Sequence, residues 1–200
     1  MPPPRERTHR HPAPELLGHG LRLGRWDPDS DADAEAWLRG RSDPEFQRWN
    51  TPLKQVTDLA GARVSLRAAA ESVAEGASAS FRVSDADAGT TLGHIGVNMI
   101  DRVGRSARVG YWVLPEARGR GVATRALTLV SPWAFTGLGL HRLELGHALG
   151  HDASCRTAER CGYPYEGTLR GAMFEAGTLE AFRDVHLHAR LATDPEAEPR

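Results

Sequence analysis

The residues with the most chemical content lie in one run, Val109 to Thr124, VGYWVLPEARGRGVAT. It reads as a strand, a tight glycine loop and the first turn of an amphipathic helix. The first turn of a helix leaves N–H groups unpaired and carries partial positive charge, while Gly119 and Gly121 let the backbone come close to a bound phosphate. Arg118 and Arg120 add charge. A pyrophosphate is the natural guest, and a solvated strand-to-helix loop is the plain alternative. Three other readings fail on spacing. An RNA-binding Arg-Gly segment needs repeats and a basic surround; a Walker loop needs Gly-Lys-Ser/Thr; a dinucleotide fingerprint needs a third glycine where Thr124 stands.

A second group of chemically capable side chains is His147, His151 and Cys155, with Asp152 alongside. On one helix these would face one way and could ligate zinc. Gly146 and Gly150 argue against a helix there, so His147 falls on a strand, Cys155 falls on the next helix, and no metal is expected. His186 and His188 share one face of the last strand and read as packed or solvated. Cys155, Ala158 and Cys161, at i, i+3 and i+6, read as the inner face of a short helix.

The elements that must position these groups follow from periodicity. Leu21, Leu23 and Trp26 form a short strand closed by Asp27-Pro28-Asp29, after which Asp29-Ser30-Asp31 offers N-cap oxygens to a helix through Trp37 and Leu38. Residues 42–76 read as helical in parts, with Pro44 and Pro52 as breakers and Val64, Leu66, Ala69 and Val73 on one face. Period-two alternation then gives an antiparallel meander over Phe81–Val83, Leu92–Ile100 and Ala107–Leu114. After Pro115 the stripe Val122, Ala126, Leu127, Val130 and Trp133 suits a helix covering a sheet, with Pro132 expected to kink or end it. A strand at Leu143–Ala148, a short helix at Asp152–Cys161 stopped by Gly162, and strands near 166–174 and 182–191 complete an α+β plan.

Composition bounds the rest. A chain of 200 residues with 40% apolar and 26% charged side chains describes one globular domain over 15–192. Five of its 13 prolines fall in residues 1–14 and two more in TDPEAEPR, which marks 1–14 and 193–200 as disordered tails. A net charge of -1 implies no nucleic-acid partner. No membrane-length apolar stretch and no signal-type N-terminus are evident, so a cytoplasmic location is expected. The two cysteines, Cys155 and Cys161, read as reduced.

Arg118-x-x-Gly121-x-Ala123 matches the (Q/R)-x-x-G-x-(G/A) pattern of the GNAT superfamily of N-acetyltransferases. The chain resembles that family, and in particular the Rim-type branch that acts on ribosomal-protein N-termini. The likeness extends through His141-Arg142-Leu143-Glu144-Leu145, His151-Asp152-Ala153-Ser154, the run Glu159 to Arg170 and the last strand from Arg183, covering about 20–191. It implies a single GNAT-type domain, α+β, with a mixed, mostly antiparallel seven-stranded sheet flanked by helices and with strands four and five splayed. It also implies an acetyl-coenzyme A site and no metal. Val113 and Leu114 would hold the pantetheine arm. The N–H groups of Gly119, Arg120, Gly121, Val122, Ala123 and Thr124 would take the pyrophosphate, with Arg118 and Arg120 beside them. His151 stands where the family has asparagine and could still donate to the coenzyme. Ser154 would protonate the departing thiolate, a Val113 or Leu114 N–H would stabilise the oxyanion, and Glu166 would assist deprotonation of the amine.

For the acceptor, an α-amino group titrates near 8 and a lysine near 10.4, so freeing the lysine at neutral pH costs about 3 kcal/mol more. This favours a protein or peptide N-terminus over a lysine side chain. A small amine, such as an antibiotic, polyamine or peptide natural product, is the alternative, and a coenzyme A-binding regulator without turnover is a third reading. Trp26, Trp37 and Trp49 could wall the acceptor channel or lie in the core. The acidic run Asp27, Asp29, Asp31, Asp33 and Glu35 could attract a cationic acceptor or serve the helix N-terminus. Family members often pair through late strands, so a homodimer is expected by resemblance.

Overall fold

Alternating apolar positions commit much of the chain to strands, and the computed structural model, which describes residues 14–50, 54–175 and 178–195, arranges eight of them in one sheet. The elements in chain order are β1 (Leu16–Gly18), β2 (Leu21–Gly24), α1 (Asp31–Ser42), α2 (Pro44–Trp49), α3 (Leu59–Ala74), β3 (Ala79–Asp85), β4 (Thr91–Asp101) and β5 (Ser106–Val113). After a 3-10 turn (Pro115–Ala117) come α4 (Val122–Thr136), β6 (Arg142–Ala148), α5 (Asp152–Arg160), β7 (Tyr165–Phe174) and β8 (Phe182–Leu191). The sheet order is β1-β2-β3-β4-β5-β6-β8-β7. Every neighbouring pair is antiparallel except β5 and β6, which α4 connects as a crossover.

That parallel pair matters for the site. Its ladder covers only Ser106, Ala107 and Arg108 against Arg142, Leu143 and Glu144, although both strands run several residues further. The helices divide between the two faces. α4 and α5 cover one, where Leu127, Val130, Leu143, Ala158 and Tyr163 are buried together with Val109. α1, α2 and α3 cover the other, where Trp37, Phe46, Leu66 and Leu114 surround Trp112. β5 thus sends alternate side chains into two separate cores.

Four expectations change. The sheet has eight strands rather than seven, because a tight turn at His19 and Gly20, both with positive φ (51° and 70°), folds the three-residue β1 onto β2. Pro44 begins a helix instead of breaking one: it stands in the first turn of α2 behind the Asp43 cap, where a missing N–H costs nothing. Val64 is exposed, and Ala62, Leu66 and Ala69 form the packed face of α3. Pro132 sits inside α4 on its solvent side, where a carbonyl left without its helical donor can turn to water, and the helix continues to Thr136. Pro52, residues 1–13 and residues 196–200 lie outside the described residues. Of the expected C-terminal tail, 193–195 is described, and Asp194 there accepts the Leu191 N–H at 2.8 Å.

Candidate active site

The glycine loop ends β5 and opens α4. Gly119 and Gly121 take φ values of 72° and 68°, and a Cβ added at either would meet nothing within 4 Å, so the loop's outer face is open. Gly121 is the N-cap of α4 and no side chain caps that helix. The first-turn N–H groups of α4 are left for an anion. They border a cavity of about 350 Å³ lined by Val113, Arg118, Gly119, Gly121, Val122, Ala123, Thr124, His151 and Ser154, together with Tyr111, Trp49, Arg156 and Arg160.

Leu114 donates its N–H to the Leu92 carbonyl at 2.9 Å, so it belongs to the β4 ladder and is buried away from the cavity. In an antiparallel ladder this pairing turns the backbone of the preceding residue, Val113, to the other edge, toward the opening between β5 and β6. Of the two, Val113 is therefore the residue whose backbone edge faces that opening. Arg118 is engaged already: its guanidinium pairs with the buried carboxylate of Asp43 and its Nε donates to the Val113 carbonyl at 3.2 Å. It ties the loop to α2. Arg120 does not line the cavity, and its carbonyl accepts from Arg125 at 3.3 Å. Besides Arg118, the cations that line it are Arg156 and Arg160, four residues apart on one face of α5. That i, i+4 spacing is the one sequence signal that marks the pair.

Ser154 is buried in the first turn of α5 at the centre of a short chain of polar contacts. Tyr111 donates its hydroxyl to Ser154 Oγ at 3.1 Å, and His151 Nδ1 lies 3.1 Å from the same oxygen. The His151 ring stacks flat on Trp49, with centroids 4.5 Å apart. Burial raises the Tyr111 pKa, keeping the phenol protonated, and burial lowers that of His151 to about 4, keeping the imidazole neutral. Tyr111 donates to the Ser154 oxygen, and in the His151 tautomer that carries its proton on Nδ1 that oxygen accepts twice, so its own proton is free to point into the cavity.

Glu166 is elsewhere. It projects to the opposite face of the sheet in a charged row with Arg108, Glu144 and Arg142, and Arg142 grips it at 2.9 and 2.5 Å. That hydrogen bonding holds its pKa below the usual glutamate value, and it does not line the cavity. Cys155 on α5 faces His147 of β6 and His186 and His188 of β8; the His151 ring lies edge-on to His147 at 6.0 Å, but its Nδ1 meets Ser154 Oγ and it is not part of the His147–Cys155–His186 group.

On the other side of Tyr111 and Trp112 a second cavity of about 350 Å³ opens, lined by residues including Trp37, Arg41, Phe46, Ser80, His94 and Asn98. Arg41 Nε, Ser80 Oγ and Trp112 Nε1 are buried there without a hydrogen-bond partner. Burial, reinforced by the nearby Arg41 charge, lowers the His94 pKa to about 3, and its Nδ1 accepts from Trp26 Nε1 at 3.1 Å. Trp26 and Trp37 pack on His94 and Trp112, while Trp49 walls the first cavity. The acidic run is paired internally: Asp29 with Arg67, Asp31 with Arg63, and buried Asp33 with Arg82.

A protein-family model described as an acetyltransferase (GNAT) domain matches residues 21–164. The chain belongs to the GNAT acetyltransferase family. It is 32% identical over 101 residues to the ribosomal-protein-serine acetyltransferase of Escherichia coli K12, a match covering 50% of this chain and 54% of that protein. It is 27% identical over 107 residues to the spermidine N(1)-acetyltransferase of Vibrio cholerae, covering 54% and 61%. The chain thus spans about half to three-fifths of these two relatives. Among solved structures, RimL, a ribosomal alpha-N-protein acetyltransferase in complex with coenzyme A, superposes with a TM-score of 0.79 at 19% identity, covering 89% of this chain and 98% of that one, a likeness of fold.

As a GNAT acetyltransferase the protein takes its acetyl group from acetyl-coenzyme A. The residues present fit that cosubstrate: an uncapped helix start behind two open glycines for the diphosphate, the Val113 backbone turned into the gap for the pantetheine amides, and Arg156 and Arg160 for the outer phosphates. Among the described residues no helix is long and apolar enough to cross a membrane.

Proposed function

We propose that this acetyltransferase acts on the α-amino group of a protein or peptide N-terminus by direct attack in a ternary complex. The observation that carries the reading is the shared wall. Tyr111 and Trp112 separate an anion-binding cavity on one face of β5 from a donor-rich cavity on the other, and the strand gap beside Val113 lies between them. The second cavity offers Arg41 Nε, Ser80 Oγ and Trp112 Nε1 to acceptor groups, and among the described residues no carboxylate lines it. Peptide carbonyls satisfy such donors. A polyamine brings further cations to a site that already holds Arg41, and the acidic run that might have drawn one in is neutralised by arginines of α3 and β3.

In this reading the Val113 N–H donates to the oxyanion and Ser154 donates its proton to the departing thiolate, its oxygen held by Tyr111 and His151. Glu166 receives the amine proton through water, as a base weakened by Arg142. The Arg41 charge favours the unprotonated amine before attack. A small-molecule amine is the competing acceptor, and the resemblance to a spermidine acetyltransferase favours testing it. The experiment is thiol release from acetyl-coenzyme A with two panels of acceptors. Peptides with free N-termini are expected to turn over at least tenfold faster, by kcat/KM, than spermidine, simple polyamines and aminoglycosides; the reverse order overturns the reading. A cytoplasmic location and a homodimer belong to the same proposal, the dimer being checked by sedimentation.

A further inference from the structure

We propose that His147, Cys155 and His186, with His188 as fourth donor, form a binding site for a zinc-class transition metal between α5 and the β6–β8 pair. The ligand atoms of His147, Cys155 and His186 all lie within 4.8 Å of one another. Cys155 Sγ stands 3.5 Å from His186 Nδ1 and 3.5 Å from His188 Nε2. Tetrahedral zinc, with bonds of about 2.3 Å to sulfur and about 2.0 Å to nitrogen, sets neighbouring donors about 3.5 Å apart. The sulfur–nitrogen spacings therefore already suit an ion, and bringing the His147, Cys155 and His186 donors from within 4.8 Å to that spacing takes a movement of about an ångström.

Independent support comes from how the imidazoles are held. His147 is 5% exposed, its Nδ1 faces the Ala148 carbonyl at 3.0 Å, and its Nε2 is buried with no hydrogen-bond partner. His188 is fully buried, and its Nδ1 meets the Tyr163 carbonyl at 3.1 Å. A ring nitrogen facing a carbonyl must carry the proton, which leaves a lone pair on the other nitrogen; this is the support that metal-bound histidines receive from their surroundings. Two Nε2 lone pairs are thereby set in this region, with His186 Nδ1 beside the same sulfur. A neutral Cys155 thiol has one proton and cannot satisfy all of them, whereas a thiolate and a divalent ion can. One sulfur with imidazoles and no carboxylate selects zinc, cobalt or copper over calcium or magnesium.

The sequence gives the site a consequence as well as a composition. Cys155 follows Ser154 on α5, so an ion held by β6 and β8 would fix the helix turn that carries the serine hydroxyl. The site is distinct from the coenzyme cavity, and its test needs no acetyl-coenzyme A.

The test uses tag-free full-length protein, dialysed against EDTA and titrated with cobalt(II) and then zinc chloride, because an affinity tag also binds metal. The expected result is one equivalent of cobalt with a thiolate-to-cobalt charge-transfer band and tetrahedral d–d bands, both displaced by zinc, and a higher thermal midpoint with zinc. Cys155→Ser, a nearly isosteric change, should abolish the charge-transfer band, and the partly exposed His186→Asn should weaken binding by about 100-fold. Binding without a thiolate band, binding undiminished in both variants, or no stoichiometric binding at micromolar metal would each overturn the proposal. The outcome is independent of the acceptor, since the metal is read by absorbance and not by turnover.

Discussion

The two cavities on either side of β5 are built by different means. On the coenzyme side the recognition groups belong to one stretch of backbone: the two positive-φ glycines, the uncapped start of α4 and the Val113 edge all lie within 113–124. On the proposed acceptor side they are side chains brought from α1, β3, β4 and β5, namely Arg41, Ser80, His94 and Trp112. A backbone site binds what every family member binds, because its donors survive most substitutions. A side-chain site can be rewritten residue by residue, which is where specificity between amines would reside.

The largest effect should come from the proposed proton donor, Ser154, which lines the first cavity against Tyr111. Ser154→Ala is expected to lower kcat by roughly 100-fold to 1,000-fold, within the usual range for a general acid, with little change in either KM. Tyr111→Phe, which removes one of the two donors holding the Ser154 oxygen, should cost about tenfold, giving a graded pair measured by steady-state thiol release. Equal, small losses in both would place the acid elsewhere.

Acid should weaken both sides through their histidines. Buried His94, with a folded pKa near 3, stays neutral while the unfolded chain protonates it near 6.5. A depressed folded value means the contribution is complete above about pH 6.5 and is lost as pH falls toward 3, at no more than about 1.4 kcal/mol per pH unit. Burial shifts His151 on the coenzyme side the same way, to about 4. Chemical denaturation between pH 6.5 and 5 should therefore show falling stability in the wild type and a shallower slope in His94→Asn. An unchanged slope would mean that His94 is reached by water.

Charge reversal of roles offers the direct contrast. Arg156→Gln with Arg160→Gln should raise the KM for acetyl-coenzyme A by about tenfold and leave the acceptor KM in place. Arg41→Gln should do the opposite with a peptide acceptor, each charged hydrogen bond contributing about 1.5–3 kcal/mol at most. If Arg41→Gln leaves the peptide KM unchanged, the second cavity is not where the acceptor sits.

The same contrast explains what could be read in advance. Strict alternation placed β3 through β6 and β8, and the α4 stripe placed the helix behind the glycine loop, because each is a local pattern. β1, three residues long, is too short for alternation to mark, and a proline alone does not tell a helix stop from a start: Pro44 is a start because Asp43 caps the turn it opens. Arg41, Ser80, His94 and Asn98 carry no spacing rule at all. They meet only after β3, β4 and β5 pair and α1 lies across Trp112, an approach so close that a Cβ on Gly40 would stand 2.3 Å from the indole. His186 likewise reaches Cys155 only through the β6–β8 ladder, which sets His147 opposite His186.

Glu166 gives the smallest expected effect, and the most informative one about the base. It sits with Glu144 around Arg142, at the end of β6 where the β5 ladder is intact and away from the opening beside Val113. A carboxylate whose pKa is depressed by an arginine is a weaker base than a free glutamate, so its removal forfeits less. Glu166→Gln should lower kcat/KM only about threefold to tenfold, with the loss concentrated below the amine pKa, where a base is needed most. Arg142→Gln should free the carboxylate and raise the rate at low pH if Glu166 is the proton acceptor. If instead Glu166→Gln matches the wild type from pH 6 to 9 while Arg142→Gln mainly lowers the thermal midpoint, the pair is a strut between β6 and β7, and water alone takes the proton from an amine whose pKa the neighbouring Arg41 has already lowered.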